Sequence, residues 1–471
     1  MAGFLIAAPK SGSGKTMVTC GILEVLKRRG KRPWAFKCGP DYIDGLFHRQ
    51  VLQVEGGNLD SFFETEEHLR RKYRRAEAEH FVVAEGVMGY FDGLGGTLPD
   101  ASSWEIADIL RIPVVLVLDA KGASLSLVAQ IKGFLDYEAK LGRGERHIAA
   151  VIFNRMSAGM YPRMKEITEG ELGILAAGYV PELDFLKVGS RHLGLILPDE
   201  VEGLKMQMEQ LGDCLEETLD WEILESLSGP SLSFGEDVSH SVSESSLYAA
   251  KRGRFRLGVA WDEAFCFYYR DNLEEMEAVG AEIVYFSPLH EDKLPEGLDG
   301  LLIGGGYPEN YAAELSENTA MRQAVALAAA QGMPILAECG GYLYLLEELE
   351  GLDGVFYPMT GIFEGKGCRK GKNSRFGYVA LAAEQDTPYL LRGEEIKGHE
   401  FHYWDCRTAD SSWQMRAVKP VGKRTWPCMR VCGQVMAGFP HLYYPSAPAF
   451  VERFSRACRR FGVTVRRTAA F

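Results

Sequence analysis

Along the first 200 residues, short apolar runs alternate with longer amphipathic stretches. FLIAA (4–8), RPWAFK (32–37), FVVAEG (81–86), PVVLVLDA (113–120) and HIAAVIFN (147–154) are strand candidates, each followed by glycine or by helix-capping residues. Strands apolar on both faces, separated by helix-length segments, predict a parallel sheet covered on each side. Residues 200–224 read as an acidic amphipathic helix. The serine-rich SLSGPSLSFGEDVSHSVSESS (226–246) that follows has almost no large apolar residue and reads as a linker. The pattern then restarts with FRLGVAWD (255–262), AEIVYFSP (281–288), GLLIGGG (300–306) and MPILAECGG (333–341), and residues 355–445 hold short strands and turns. The expected fold is therefore α/β, two doubly wound domains at 1–224 and 254–471 joined by a linker at 225–253.

Length agrees, since 471 residues exceed one ordinary core. A net charge of −13 argues against nucleic acid or an anionic membrane as partner. No apolar run reaches the roughly 20 residues that cross a bilayer. The apolar N-terminus lacks a basic region before it and runs into a glycine-rich loop, so it reads as a first strand and the expected location is cytoplasmic. Ten scattered cysteines then read as reduced thiols. Cys428 and Cys432 have the spacing C-x3-C but lack a second ligand pair, which makes zinc the weaker reading.

Two stretches carry candidate chemistry. Ser11-Gly12-Ser13-Gly14-Lys15-Thr16 lies between strand FLIAA and the helical MVTCGILEVLKRRG. Backbone N–H groups of such a loop surround phosphate oxygens, Lys15 reaches the outer phosphates and Thr16 offers a hydroxyl to Mg²⁺. Pro9 stands where the usual first glycine would be, so the stretch fits the variant K-x-G-x-G-K-T that begins at Lys10. The bland alternative is a tight strand-to-helix turn. Glu85 ends a strand, where a carboxylate projects toward the phosphates. Asp41, Asp44, Asp60 and Asp92 also follow strand candidates. Each alone is an ordinary turn residue; together they suggest an acidic rim.

The second stretch is PILAECGGY, with Cys339 between a strand and a helix. A lone cysteine is more often inert core. Here the elbow exposes a thiol beside helix N–H groups, whose field is expected to lower its pKa. The glycine loop ending at Gly306, with the Gly340 amide, provides candidate oxyanion donors. His399, His402 and His441 lie downstream; His441 is the best-placed base and His402 the alternative.

The C-terminal half resembles class-I glutamine amidotransferases (strand–GGG loop, C-G-G elbow, late histidine), and the N-terminal half resembles dethiobiotin-synthetase-like ATPases. With GPDYID, NLDSF, EGVMGYFDG and GHEFHY in this order, the whole chain resembles the cobyrinic acid a,c-diamide synthase family. The resemblance implies a P-loop ATP-binding synthetase domain and an amidotransferase domain. Cys339 would release ammonia from L-glutamine with His441 as proton shuttle. Mg²⁺ and ATP would activate side-chain carboxylates of a tetrapyrrole (corrinoid) as acyl phosphates. It implies ATP contacts from Lys10, Gly12, Ser13, Gly14, Lys15, Thr16 and Asn154, metal contacts from Thr16, Glu85 and Asp41, and substrate contacts from Asp41, Asp44 and Asp92. A homodimer is left open. Two positions depart from the pattern. Tyr443 follows Leu442 where many relatives place a glutamate that orients the histidine, and Trp404-Asp405 replaces smaller or basic residues. Rival readings are the same amidation on hydrogenobyrinate or a nickel sirohydrochlorin, and a non-catalytic P-loop ATPase whose C-terminal domain binds a partner.

Overall fold

The computed structural model describes residues 3–141, 146–183, 185, 198–227, 253–370, 375–410 and 412–468. The chain divides into two compact units, Met1–Glu236 and Asp237–Phe471. Of the expected linker, residues 228–252 lie outside the described residues.

In the first unit β1 (Gly3–Ala7), β2 (Pro33–Cys38), β3 (Gly56–Leu59), β4 (Phe81–Glu85), β5 (Val114–Asp119), β6 (Ile148–Asn154) and β7 (Leu175–Val180) make one parallel sheet. Its order is β3-β2-β4-β1-β5-β6-β7. Successive residues of each strand enter opposite cores, as the two-residue period requires. Leu5, Val82, Ala84 and Leu116 pack on one side; Phe4, Ile6, Val83 and Val115 pack on the other, under helix α1 (Lys15–Arg28) through its Val18, Ile22 and Val25. Five strands were expected and seven are present among the described residues. β3 escaped because its sequence is GGNL: Gly56 abuts the Ala35 carbonyl so closely that a Cβ would stand 1.9 Å from its oxygen. Around β1 the chain turns first to one side of the sheet and later to the other. The crevice this leaves at the carboxyl ends of the strands is where open α/β sheets bind ligands.

The second unit contains β8 (Phe255–Ala260), β9 (Ala281–Phe286), β10 (Gly300–Ile303), β11 (Ile335–Glu338), β12 (Leu346–Glu350), β13 (Phe356–Pro358) and β14 (Phe363–Arg369). These are followed by β15 (Phe376–Ala383), β16 (Glu395–Phe401), β17 (Trp404–Arg407), β18 (Trp413–Val418), β19 (Thr425–Cys432), β20 (Val435–Gly438) and β21 (His441–Leu442). The ten-stranded sheet runs β21-β16-β15-β18-β19-β20-β11-β10-β8-β9, and β13-β12-β14-β17 form a second sheet. From β20 to β9 the large sheet is parallel; β19, β18, β15, β16 and β21 extend it antiparallel. Helices cover both faces of the parallel part: Thr319–Ala330 buries Met321, Val325 and Ala328 on one, while Arg270–Ala278 and Pro448–Thr468 bury Met276, Phe450 and Phe454 on the other. Cys428 and Cys432 lie four residues apart on one strand, about 13 Å at the usual rise, too far to share a zinc ion.

Candidate functional site

The first cluster forms where β1, β2 and β4 end. The loop between β1 and α1 takes left-handed turns at Gly12 (φ 76°) and Gly14 (φ 98°), a conformation that favours glycine. Asn154, at the end of β6, donates from Nδ2 to the Ser13 carbonyl at 2.9 Å, and a Cβ on Gly14 would stand 2.2 Å from that nitrogen. Asn154 thus backs the loop, and its buried Oδ1 accepts no hydrogen bond among the described residues. The Ser13 hydroxyl closes the turn on the Lys10 carbonyl at 3.0 Å. Lys15 extends to the carbonyl of Met88, in the loop after β4. Burial, and then Lys37, bring Lys15 down to about 8.

Thr16 Oγ1 donates to Glu85 Oε1 at 2.6 Å, which brings the hydroxyl and the carboxylate together. A residue missed in the sequence lies between the carboxylates: Lys37 Nζ is 2.7 Å from Glu85 Oε1, in contact with Asp44, and 4.0 Å from Asp41. Its only sequence signal was a lysine inside the otherwise apolar strand PWAFKC, at the sheet's carboxyl edge. Burial raises Glu85 to about 7 despite Lys37. Burial also opposes ionisation of Asp44, yet contact with Lys37 outweighs it and holds this carboxyl below its ordinary value. Asp41 Oδ1 accepts the Ile43 and Asp44 amides at the start of helix Ile43–Gln50. Asp92 caps its own turn through the Gly89 amide at 3.0 Å, and Asp60 caps Phe62 and Phe63. Of the expected acidic rim, Asp41, Asp44 and Glu85 therefore meet around Lys37, while Asp60 is a turn residue.

This donor set fits Mg²⁺ bound with a nucleotide. Glu85 Oε2 is buried without a hydrogen bond among the described residues, next to the Thr16 hydroxyl. No cage of three or more His, Cys, Asp or Glu ligands forms among the described residues. Mg²⁺ needs none, because it takes most of its oxygens from phosphate and water.

The second cluster centres on Cys339. At the end of β11 the chain turns with Cys339 at φ 51°, ψ −105°, a region that costs a non-glycine residue energy, and enters the helix Gly340–Tyr344. The turn is over-determined. The Cys339 amide donates to Gly438 O at 2.7 Å and the Gly341 amide to Gly304 O at 2.9 Å. A Cβ on Gly341 would meet Ile303 O at 2.0 Å. The thiol lies 4.0 Å from the Phe401 carbonyl. Gly306 N is 3.1 Å from where a Cβ on Gly340 would stand, and its N–H donates to no group among the described residues. The Gly340 N–H interacts with the thiol itself. The Gly340 N–H thus borders the sulfur, and the Gly306 N–H faces the residue that follows it. The expected drop in thiol pKa is overturned: burial, and then the Glu309 carboxylate, push Cys339 well above its ordinary value. A five-residue helix does not offset the loss of water.

His441 reaches this loop although β21 is at the far edge of the sheet. β20 pairs with β11 up to Gly438 opposite Glu338, and three residues later His441 crosses over Gly305, where a Cβ would stand 2.2 Å from its Cε1. Burial, then His402, lower His441 to about 3, so the imidazole is neutral at pH 7. With Tyr443 bonded to Asp271 (3.0 Å) and no carboxylate at that position, the strand itself is clamped. Asn272 takes Leu442 O (2.7 Å) and the Tyr444 amide (2.8 Å), while Glu338 accepts from the Tyr444 hydroxyl at 2.9 Å and from the Leu442 amide. His402 has both ring nitrogens engaged, Nε2 with Glu400 at 2.9 Å and Nδ1 with the Trp404 carbonyl, and its ring stacks on Phe439. His399 faces His441 across the β16–β21 pair. Trp404 is a buried strand residue whose Nε1 donates to Glu350 O at 2.8 Å.

A phosphate-loop domain followed by a cysteine-elbow domain defines a nucleotide-binding glutamine amidotransferase ligase. Residues 4–195 match the CobQ/CobB/MinD/ParA nucleotide binding domain family and 256–448 the CobB/CobQ-like glutamine amidotransferase domain family. The chain belongs to the cobyrinate a,c-diamide synthase family. It is 37% identical over 98% of its length to the member from Caldanaerobacter subterraneus subsp. tengcongensis, covering 99% of that protein. It is 36% identical over 97% to that of Listeria innocua (99% covered) and 33% over 97% to that of a Synechococcus strain (98% covered). No helix among the described residues is long and apolar enough to cross a membrane.

Proposed function

We propose that the protein amidates the a- and c-side-chain carboxylates of cobyrinate with nitrogen from glutamine, driven by ATP. The observation that carries this reading is the presence, in one chain of this family, of the Lys15–Thr16–Glu85–Lys37 cluster and the Cys339–Gly306–His441 cluster. His441 takes the thiol proton, and the thiolate attacks the glutamine carboxamide carbon. The oxyanion is held by the Gly306 and Gly340 N–H groups; its collapse expels ammonia, which leaves with the proton from His441. Water then hydrolyses the thioester to glutamate. In the other domain, a substrate carboxylate oxygen attacks the γ-phosphate of ATP and releases ADP. Ammonia displaces phosphate from the resulting acyl phosphate. Lys15 and Lys37 offset the charge of the transferring phosphoryl group. Thr16, Glu85 and Asp41 would hold Mg²⁺, which shields the phosphates. Asp44 and Asp92 face substrate, and Asn154 lies beside the base.

The test is mass spectrometry of tetrapyrrole acids incubated with protein, MgATP and glutamine. Two amide groups on cobyrinate and none without ATP is the expected result. Preference for hydrogenobyrinate or a nickel sirohydrochlorin would reassign the substrate, and no amidation of any acid would overturn the reading.

A further inference from the structure

The loop after β10 carries a group that the reaction above leaves unused. Beyond Gly306 the chain enters a single 3-10 turn, Pro308–Tyr311. Pro308 packs on the nucleophile elbow, its Cδ 2.8 Å from where a Cβ on Gly340 would stand. The next residue, Glu309, is 7% exposed. Among the described residues its carboxylate makes no ion pair and no hydrogen bond beyond its own backbone N–H. Burial raises it to about 7. Of all charged groups, it acts most strongly on the Cys339 thiol.

Such a carboxylate is costly twice over. A buried, unpaired carboxylate destabilises the fold, and a negative charge beside the thiol opposes formation of the thiolate. Both costs vanish if a cation docks against it, and the substrate carries one, because glutamine at neutral pH bears an α-ammonium group. We propose that Glu309 is the subsite for the α-ammonium of glutamine, so that only an amide bringing its own positive charge neutralises the ground beside Cys339. The assignment rests on the glutaminase reading of this domain. Binding of the right amide then relieves the thiol of the charge that opposes its ionisation, and recognition and activation become one event.

The experiment compares hydrolysis of L-glutamine with that of 4-carbamoylbutanoate, the same amide without the amino group, by the full chain. Wild type is expected to prefer glutamine in kcat/KM by at least about 10²-fold, since a site built for a polar partner rejects the analogue lacking it. In Glu309→Gln the KM for glutamine should rise by about 10²-fold and the preference between the two amides should collapse. Glu309→Asp, which keeps the charge, should retain the preference. A wild type indifferent to the amino group overturns the proposal. So does a Glu309→Gln variant that slows both amides equally and keeps its preference. Ammonia-driven synthesis, carried out by the other domain, reads folding independently. If Glu309→Gln loses that as well, Glu309→Asp decides, and collapse of its preference overturns the assignment. Wild type that hydrolyses neither amide would instead sink the glutaminase reading itself.

Discussion

Cys339 is strained, buried and protonated at rest, and each property follows from its place at the end of β11. Its φ of 51° is sustained only because Gly304, Gly341 and Gly438 bond the turn from both sides. Removing the thiol should therefore cost chemistry more than fold. Cys339→Ala is expected to abolish glutamine-dependent amidation while synthesis from high ammonia survives; loss of both would show that the two activities are not separable. His441→Ala should lower glutamine hydrolysis by about 10²–10⁴-fold, the usual worth of general-base help. His402→Ala should spare more of it, because its nitrogens are already held by Glu400 and Trp404. Glutaminase measured side by side in the two variants checks this, and the reverse ranking would move the base to His402.

Among the elements, β21 has the most weight for its size. Two residues long, it owes its position to clamps outside itself, the Asn272 side chain and the Glu338 carboxyl. Asn272→Ala leaves a buried carbonyl and a buried amide without partners, at about 1–3 kcal/mol each. The variant is expected to lose about 2–6 kcal/mol in denaturant unfolding of the second unit and to slow glutaminase in kcat more than in KM. An unchanged kcat would mean that His441 is positioned by something other than this clamp.

At the scale of the whole molecule, two sites in two separately packed units should respond differently to damage. Lys15→Ala is expected to stop synthesis from glutamine and from ammonia alike, and chelation of Mg²⁺ should do the same while glutamine hydrolysis continues. Synthesis retained by Lys15→Ala would remove the loop from the reaction. Stability should also depend on pH in a definite way. His48 at about 4 and His399 and His441 at about 3 lie below the ordinary 6.5, so the unfolded chain binds more protons and stability falls as pH drops below 6.5. Glu85 and Glu309 at about 7 and Glu338 at about 8 lie above the ordinary 4.5, so the folded chain holds protons that the unfolded one has lost, and stability falls as pH rises from 4.5 through 8. The two trends oppose between 4.5 and 6.5, where melting temperature should peak. Glu338→Gln should flatten the alkaline side, by no more than about 5 kcal/mol at pH 8. An alkaline slope as steep as that of wild type would remove Glu338 from this account.

What the sequence determined by itself was local. Short continuous apolar runs, a glycine loop entering a helix and a cysteine between strand and glycines are all features within some ten residues, and backbone sterics and burial dictate their form wherever they occur. They were enough for the α/β fold of both units, for the loop between β1 and its helix, and for the elbow at Cys339. Only the tertiary structure decided which distant groups meet these features and what charge they carry there. Lys37 reads as a strand residue until β2 and β4 bring it to Glu85, forty-eight positions away. Asp60 reads like Asp44 until a turn claims it. The thiol expected to ionise easily is held protonated because burial outweighs a short helix. Glu309 gains meaning only once it is seen buried, without an ion pair among the described residues, on the turn that packs against the elbow. Solvent exclusion and pairing depend on every chain segment that crosses a site, and no single segment encodes them.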